Sequence, residues 1–361
     1  MSGPESSMPV FTRFFQPLRH PDITVSWVGP NPFEPGFTVG SDDGNLFFVR
    51  KSDLQIFGPF KASHTSDAIN GVAFFDKWLI VSTRSSIMFG TLPGKGKLEP
   101  VSLAMGAHGV AATPNGLFVA SLGYSGIMER KADLGYDDPV TGWVGPENPN
   151  VYRIYSTCGQ DGRNVLVSAC RDDGIGLADR GSDGRRRMRM FSNGKMDIVD
   201  LCIVSDSPNS LDVAAVGIDG RIMFVSDFSR NPRAKDTRFI NVLGKAYRIL
   251  CSGNDLFVLT SKGLFTLKNL VARMRNSEVN TNPHTNIRCT LLDAVDANLV
   301  EPDLLMVLTG RDIVPIDIAH IRMEVRPDIE TTSEEGEDTD WKPFEFSETS
   351  QSESDLMANA V

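Results

Sequence analysis

Apolar residues in this chain fall into short runs that recur as a unit of strands separated by tight turns. Two copies align without a gap, AHGVAATPNGLFVAS at 107–121 and AYRILCSGNDLFVLT at 246–260. The first apolar residue after each second turn marks seven copies, at Leu46, Ile87, Ile127, Ile175, Ile222, Leu264 and Ile313. Their spacing of 40 to 49 residues is typical of propeller blades. The pattern predicts an all-β protein, a seven-bladed β-propeller of four-stranded antiparallel blades.

The second strand of each unit is almost entirely apolar, as in LFVAS and DVAAVG, so we expect neighbouring blades to cover both of its faces. Asp42-Asp43-Gly44 follows the second strand of the first unit, and Asp-Gly returns at this place in later units. Asp-Gly favours a type I′ turn, whose central residues both need positive φ. The seventh unit is the most divergent, and its first strand is predicted at RCTLLDAV, residues 288–295.

A closed ring needs an outer strand from one end of the chain, because an open ring leaves unpaired sheet edges. Two segments are candidates, PVFTRFF at 9–15 and HIRMEV at 320–325, and we favour the first. The predicted propeller spans residues 9–326. One helix is expected, in LKNLVARMR at 267–275.

The net charge of −10 comes from the end of the chain. Residues 328–361 contain eleven acidic residues and one basic residue, so the remainder is neutral. Because residues 327–361 are rich in Glu, Ser, Thr and Asp and poor in aliphatic residues, we expect a disordered acidic tail. No run approaches the roughly 18 uncharged apolar residues that cross a bilayer, so no membrane contact is expected.

The blade spacing and the Asp-Gly hairpins resemble those of WD40-like seven-bladed β-propellers, over residues 9–326. Neither Gly-His before a first strand nor Trp-Asp at the end of a third strand, the signature dipeptides of that class, occurs in these units. The resemblance implies a platform that binds other macromolecules.

Residues entering the first strands of a propeller face the mouth of its channel, and aligning the units brings several polar side chains to this level. They form a candidate partner-binding group, here named the mouth residues: Asn70, His108, Tyr152, Arg153, Asp200, Tyr247 and Arg248. Tyr and Arg dominate binding hot spots. Alternatively, the arginines and the aspartate only pair with one another around the channel.

Two further segments are candidate binding sites. A basic loop between the fourth and fifth blades contains Arg185, Arg186, Arg187 and Arg189, and it could bind phosphates or nucleic acid, contact the acidic tail, or be solvated without a role. Within the tail, segment 339–346 carries Trp341, Phe344 and Phe346, which suit either docking on a partner or packing on the propeller.

Candidate chemistry is sparse. No nucleophile elbow, zinc-protease motif, phosphate loop or dinucleotide fingerprint occurs, and no cofactor is expected. The five cysteines are widely spaced and no signal peptide precedes the first unit, so we expect reduced thiols and a cytoplasmic protein. The sequence favours a non-enzymatic, monomeric scaffold or adaptor that binds proteins on the propeller and through the tail. The alternatives are a metal-dependent hydrolase of the lactonase type, and nucleic acid or phosphate binding through the basic loop.

Overall fold

A computed structural model describes residues 24–63, 66–91, 98–102, 106–132, 150–158, 164–171, 174–180, 186–191, 196–207, 210–228, 237–275, 286–289, 294–309 and 312–319. This part of the chain is all-β and forms seven antiparallel sheets of three or four strands. Sheets one to seven follow one another along the chain. The strands of each sheet pair in chain order, so every sheet is a simple meander.

The first four sheets contain fifteen strands. Sheet one consists of β1 (Val25–Pro30), β2 (Gly36–Ser41), β3 (Asn45–Arg50) and β4 (Ile56–Lys61). Sheet two consists of β5 (Ile69–Phe75), β6 (Trp78–Thr83), β7 (Ile87–Thr91) and β8 (Glu99–Ser102). Sheet three consists of β9 (Gly109–Ala112), β10 (Leu117–Ser121) and β11 (Ile127–Lys131). Sheet four consists of β12 (Asn150–Cys158), β13 (Asn164–Arg171), β14 (Gly174–Arg180) and β15 (Arg186–Phe191).

The last three sheets follow the same plan. Sheet five consists of β16 (Ile198–Ser207), β17 (Ser210–Gly217), β18 (Arg221–Val225) and β19 (Thr237–Asn241). Sheet six consists of β20 (Ala246–Ser252), β21 (Asp255–Thr260), β22 (Gly263–Leu267) and β23 (Asn286–Cys289), with helix α1 (Leu270–Arg275) before its last strand. Sheet seven consists of β24 (Ala294–Glu301), β25 (Leu304–Thr309) and β26 (Ile313–Asp317). Within the described ranges, no helix has the length and apolar character that a bilayer crossing requires.

The seven positions that define the repeat are confirmed as equivalent. Each is the first or second residue of the third strand in its sheet, and every one is buried: Leu46, Ile87, Ile127, Ile175, Ile222, Leu264 and Ile313. Their common role is to anchor the hairpin after its second turn in the core.

The hydrophobic core is divided into clusters, each formed by two sheets that are consecutive in the chain. Strand β10 explains why the second strands are apolar throughout. Its Leu117 and Val119 join a cluster with sheet four, whereas Phe118 and Ala120 join a cluster with sheet two. Because successive side chains of a strand point to opposite faces, burial on both sides removes the usual alternation.

Sheet seven also packs against sheet one. Val28 and Phe37 of sheet one share a cluster with Met306 and Leu308 of sheet seven. At one edge of this cluster, the Asn298 side-chain amide donates a hydrogen bond to the backbone oxygen of Val28, at 3.1 Å. The first strand of each sheet contacts the first strand of the next, and β24 contacts β1 in the same way.

The turns after the second strands differ from the predicted type I′ geometry. The backbone N–H of Gly44 donates to the oxygen of Ser41 at 3.2 Å, and positive φ is found at Gly44 (79°) but not at Asp42 or Asp43. Gly220 repeats this geometry, with φ of 82° and a bond to Gly217. The prediction was wrong because the glycine follows the two central residues, where it ends a three-residue loop.

The predicted first strand of the seventh unit, 288–295, was also wrong. Its first two residues, Arg288 and Cys289, lie in β23, which pairs with β22 as the outer strand of sheet six, and the first strand of sheet seven begins at Ala294. The two strands are separated by only four residues, so the sequence pattern was interpreted as a single strand. The predicted helix is present as α1, before the last strand of sheet six.

Both candidate closing segments, 9–15 and 320–325, lie outside the described residues, as does the tail with Trp341, Phe344 and Phe346.

Candidate functional site

A β-bulge recurs near the start of the first strands. In each bulge two residues oppose one on the second strand, and the extra residues are Ser26, Asn70, Tyr152, Val199, Tyr247 and Val295. In sheet three, His108 takes the equivalent place before β9, and its backbone N–H donates to Ser121 at 2.9 Å. Bulges bend the strand and redirect a side chain, and they occur often beside functional sites.

Aligning the units by sequence brought Asn70, His108, Tyr152 and Tyr247 to one level, and the structure places all four at these bulge positions. Asn70, Tyr152 and Tyr247 are half-buried, and His108 is exposed. The alignment did not include the first unit, so it missed Ser26. It also missed Val295, because the first strand of the seventh unit was predicted at the wrong residues.

The residue after each bulge differs sharply between sheets. In sheets one to three it is apolar or glycine: Trp27, Gly71 and Gly109. In sheets four to seven it is charged, with alternating sign: Arg153, Asp200, Arg248 and Asp296.

Three of these charged residues form a buried ion network. Arg248 lies 2.7 Å from Asp296 and 3.5 Å from Asp200, measured from guanidinium nitrogen to carboxylate oxygen. Asp200 has no exposed surface and Arg248 is 6% exposed. The guanidinium also donates to the backbone oxygen of Ala297 at 3.2 Å, so the network connects sheets five, six and seven.

Asp200 is saturated by further donors. The Tyr155 hydroxyl donates to its Oδ1 at 2.6 Å, and the backbone N–H of Ile249 donates to its Oδ2 at 3.0 Å. Burial, with the Asp200 charge adding to it, raises the pKa of Tyr155 above its ordinary value. Burial alone would lower the pKa of Arg248, but Asp296 and Asp200 outweigh it and raise the pKa. Both groups therefore keep their protons over the ordinary pH range.

This geometry favours a structural role for Asp200 and Arg248 over partner binding. Although both were predicted as mouth residues for a partner, they lie in the interior and pair with each other. Buried carboxylates and guanidinium groups need such partners because an isolated charge is costly to desolvate.

A second polar group remains accessible and is here named the arginine–tyrosine cluster: His108, Tyr152, Arg153 and Arg171. The rings of His108 and Tyr152 lie 5.0 Å apart between centroids. The guanidinium carbon of Arg171 lies 4.3 Å from the Tyr152 centroid, and that of Arg153 lies 5.7 Å from it. Both distances fall within the range of cation–π attraction.

Gly109 makes room for this cluster. A Cβ added at Gly109 would lie 3.5 Å from Cδ of Arg153, so the arginine stem runs directly over the glycine. Arg171 comes from the end of the second strand of sheet four, where it pairs with Asn150. Sequence alignment of first strands could not find Arg171, because only strand pairing brings it beside Tyr152.

The cluster has an excess of positive charge. Within the described residues Arg153 has no carboxylate at ion-pair distance, and Arg171 has only Asp197, 4.0 Å from its Nε. Partial burial of the ring, with Arg153 and Arg171 adding to it, lowers the pKa of His108 below its ordinary value. His108 is therefore neutral at neutral pH.

Large apolar side chains are exposed at the same end of the sheets. Tyr124 is 65% exposed in the turn after β10, Leu243 is 72% exposed before β20, and Val295 is 55% exposed at its bulge. The Tyr124 turn is tied to sheet four by paired backbone hydrogen bonds between Gly123 and Val151. We name this end, with the bulge residues, the bulge face.

The predicted basic loop is a strand over most of its length. Residues 186–189 belong to β15, the outer strand of sheet four, and Arg185 lies outside the described residues. Met188 packs on the core cluster between sheets three and four, whereas Arg189 is exposed. The run of arginines gives this outer strand little apolar character, so the sequence pattern did not predict a strand here.

Among the residues with described placement, no three His, Cys, Asp or Glu side chains are grouped as a metal site would require. The only carboxylate among the mouth residues, Asp200, already accepts hydrogen bonds from Tyr155 and Ile249.

No protein-family model matches the sequence, and no match is found among curated proteins either.

Proposed function

We propose that the seven sheets close into a seven-bladed propeller of the WD40-like type that binds a protein partner through its bulge face and catalyses no reaction. Support for closure comes from the cluster shared by sheets one and seven and from the contact of β24 with β1. In an open row of sheets, one face of sheet one and one face of sheet seven would be exposed to solvent. Packing of these two sheets against each other would cover both faces.

The observation that carries the binding proposal is the composition of the bulge face. Exposed Tyr124, Leu243 and Val295 accompany the half-buried Tyr152 and Arg153. Protein interfaces combine aromatic, aliphatic and Arg anchors in this way, and Tyr and Arg contribute large contact areas. The acidic tail supplies the second proposed contact, through the segment that contains Trp341.

The alternative of a metal-dependent hydrolase is less well supported by the site. Asp200, its candidate ligand, is engaged by Arg248 and Tyr155, and a cation there would lie beside a guanidinium group. Metal analysis of the purified full-length protein tests this directly. Stoichiometric calcium or zinc that is lost in Asp200→Asn would overturn the non-enzymatic proposal.

Partner binding is tested by cross-linking in native extract, followed by quantitative mass spectrometry of captured proteins. Leu243→Asp and Val295→Asp place charges on exposed positions of the bulge face. Met190→Asp is the matched control, because Met190 is 39% exposed on the outer strand β15. We expect the first two variants to lose a set of proteins that the control retains. Identical sets for all variants would refute binding through the bulge face.

A further inference from the structure

Arg153 and Arg171 share one aromatic ring, and neither Nε has an acceptor. Both Nε atoms are buried, and within the described residues neither donates a hydrogen bond. The nearest carboxylate oxygen to Arg171 Nε is Asp197 Oδ1, at 4.0 Å, which is beyond hydrogen-bond distance. Buried donors without acceptors are costly in folded proteins, so such a pair calls for an explanation.

Within the described residues, Arg153 Nε has no hydrogen-bond acceptor. On one side its stem passes over Gly109, which has no side chain. On the other side lies sheet five, where the two oxygens of Asp200 already accept from Tyr155 and Ile249. Within the described residues, Arg153 therefore has no carboxylate at ion-pair distance.

The cluster is also reachable from outside. Tyr152, Arg153 and Arg171 are half-buried, and His108 is exposed. The guanidinium carbons of Arg171 and Arg153 lie 4.3 and 5.7 Å from the Tyr152 centroid, so the ring attracts both groups by cation–π interaction.

From this arrangement we infer that Arg153 and Arg171 bind a phosphate group, with Tyr152 as the platform and His108 at the rim. A phosphate offers several acceptor oxygens and up to two negative charges, which match two guanidinium groups better than a single carboxylate does. The inference rests on the proposed function in one respect only, which is the source of the phosphate. That source is a phosphorylated protein partner.

The site is tested by nuclear magnetic resonance of the full-length protein labelled with ¹⁵N-histidine, of which the chain has five. The pKa of His108 is measured in sodium chloride and then at equal ionic strength in sulfate, inorganic phosphate, a phosphoserine peptide or acetate. Sulfate stays dianionic while histidine titrates, so it isolates the effect of a tetrahedral dianion. A bound dianion opposes the effect of the two arginines, so the pKa of His108 should rise by about one unit, saturably.

Two pairs of variants sharpen the result. Arg153→Met should abolish the saturable shift, whereas Arg221→Met, which removes a surface arginine paired with Asp219, should retain it. Gly109→Asp places a carboxylate beside Arg153, so it should raise the pKa of His108 without added anion and block the shift. Gly109→Asn is the uncharged control for that substitution.

The outcomes separate the two proposals. Saturable shifts with sulfate, phosphate and the peptide that vanish in Arg153→Met support the site. Equal shifts with acetate, or no saturable shift with any anion, overturn it. If the anions fail while the bulge face still captures a partner, the phosphate site is wrong and the proposed function stands. If they bind but no partner depends on the bulge face, the proposed function fails and the site remains.

Discussion

Arg153 and Arg248 occupy the same place in the repeat, directly after the bulge in the first strands of sheets four and six. Arg248 lies between Asp200 and Asp296, and almost none of its surface is exposed. Arg153 has Gly109 on one side, lies 5.7 Å from the Tyr152 ring centroid and has no carboxylate partner within the described residues. One repeat position therefore supports two different uses of the same side chain.

The difference arises from the neighbouring sheets. The first strand of each sheet contacts the first strands of the sheets before and after it. The surroundings of the residue after each bulge therefore depend on the equivalent residues in both neighbouring sheets. In sheets five to seven these residues alternate in sign, and the single cation, Arg248, pairs with both Asp200 and Asp296. In sheets two and three they are Gly71 and Gly109, which supply no counter-charge. We infer that the first region holds the sheets together, whereas the second leaves Arg153 available for a ligand.

The largest effect is expected for Arg248→Met. It leaves Asp200 and Asp296 buried without their cation, and breaking a buried pair in this way costs about 3–5 kcal/mol of the free energy of unfolding. Urea unfolding monitored by tryptophan fluorescence measures the loss.

Arg221→Met is the matched control for this variant. Its ion pair with Asp219 is well exposed, so the expected loss is below about 1 kcal/mol. Equal losses in the two variants would show that the buried network does not stabilise sheets five to seven.

A smaller effect is expected from pH, through Tyr155. Its pKa is raised in the folded state, so above its ordinary pKa of 10.0 the unfolded chain loses this proton while the folded chain keeps it. The unfolded state then binds fewer protons, and stability should fall by up to about 1.4 kcal/mol per pH unit. Below that pH the contribution is fully present.

Tyr155→Phe removes the titrating group, so the fall of stability above pH 10 should be shallower by this amount. The measurement is a series of unfolding curves on both proteins between about pH 9 and pH 11, around the reference pKa of tyrosine. Parallel pH profiles for the two proteins would contradict the assigned burial of this hydroxyl.

The smallest effect is expected in the glycine region. A Cβ at Gly109 would meet Ser121 Oγ at 3.4 Å and Arg153 Cδ at 3.5 Å, which are ordinary contacts. Gly109→Ala should therefore stabilise the protein by about 0.4–1 kcal/mol, because alanine restricts the unfolded chain. Gly106→Ala should instead destabilise it, since its Cβ would lie 1.9 Å from the Thr83 oxygen. Thermal unfolding of both variants tests the contrast.

The sequence pattern predicted the fold best for strands that are buried on both faces. Ile87, Ile127 and the other third-strand residues sit in the same two-sided core in every sheet, so their spacing revealed seven sheets directly. The same spacing failed at 288–295, where the outer strand of one sheet and the first strand of the next are separated by only four residues.

The candidate site was only partly predictable, because its chemistry depends on contacts between sheets. Alignment brought His108, Tyr152 and Arg153 to one level, since a bulge recurs at the same place in each unit. It could not distinguish Arg153 from Arg248, because the partner of Arg248 in sheet seven, Asp296, was misaligned. Nor could it find Arg171, which reaches Tyr152 from the end of another strand.

The claim that Arg248 is structural and Arg153 is a binding residue is tested most directly by the free energy of unfolding of Arg153→Met. Methionine keeps the apolar stem over Gly109 and removes only the uncompensated charge. We predict no loss of stability relative to the unsubstituted protein, because the substitution removes a buried Nε donor that makes no hydrogen bond within the described residues. A loss of about 3–5 kcal/mol, the cost of breaking a buried ion pair, would contradict the claim and make Arg153 a structural residue as well.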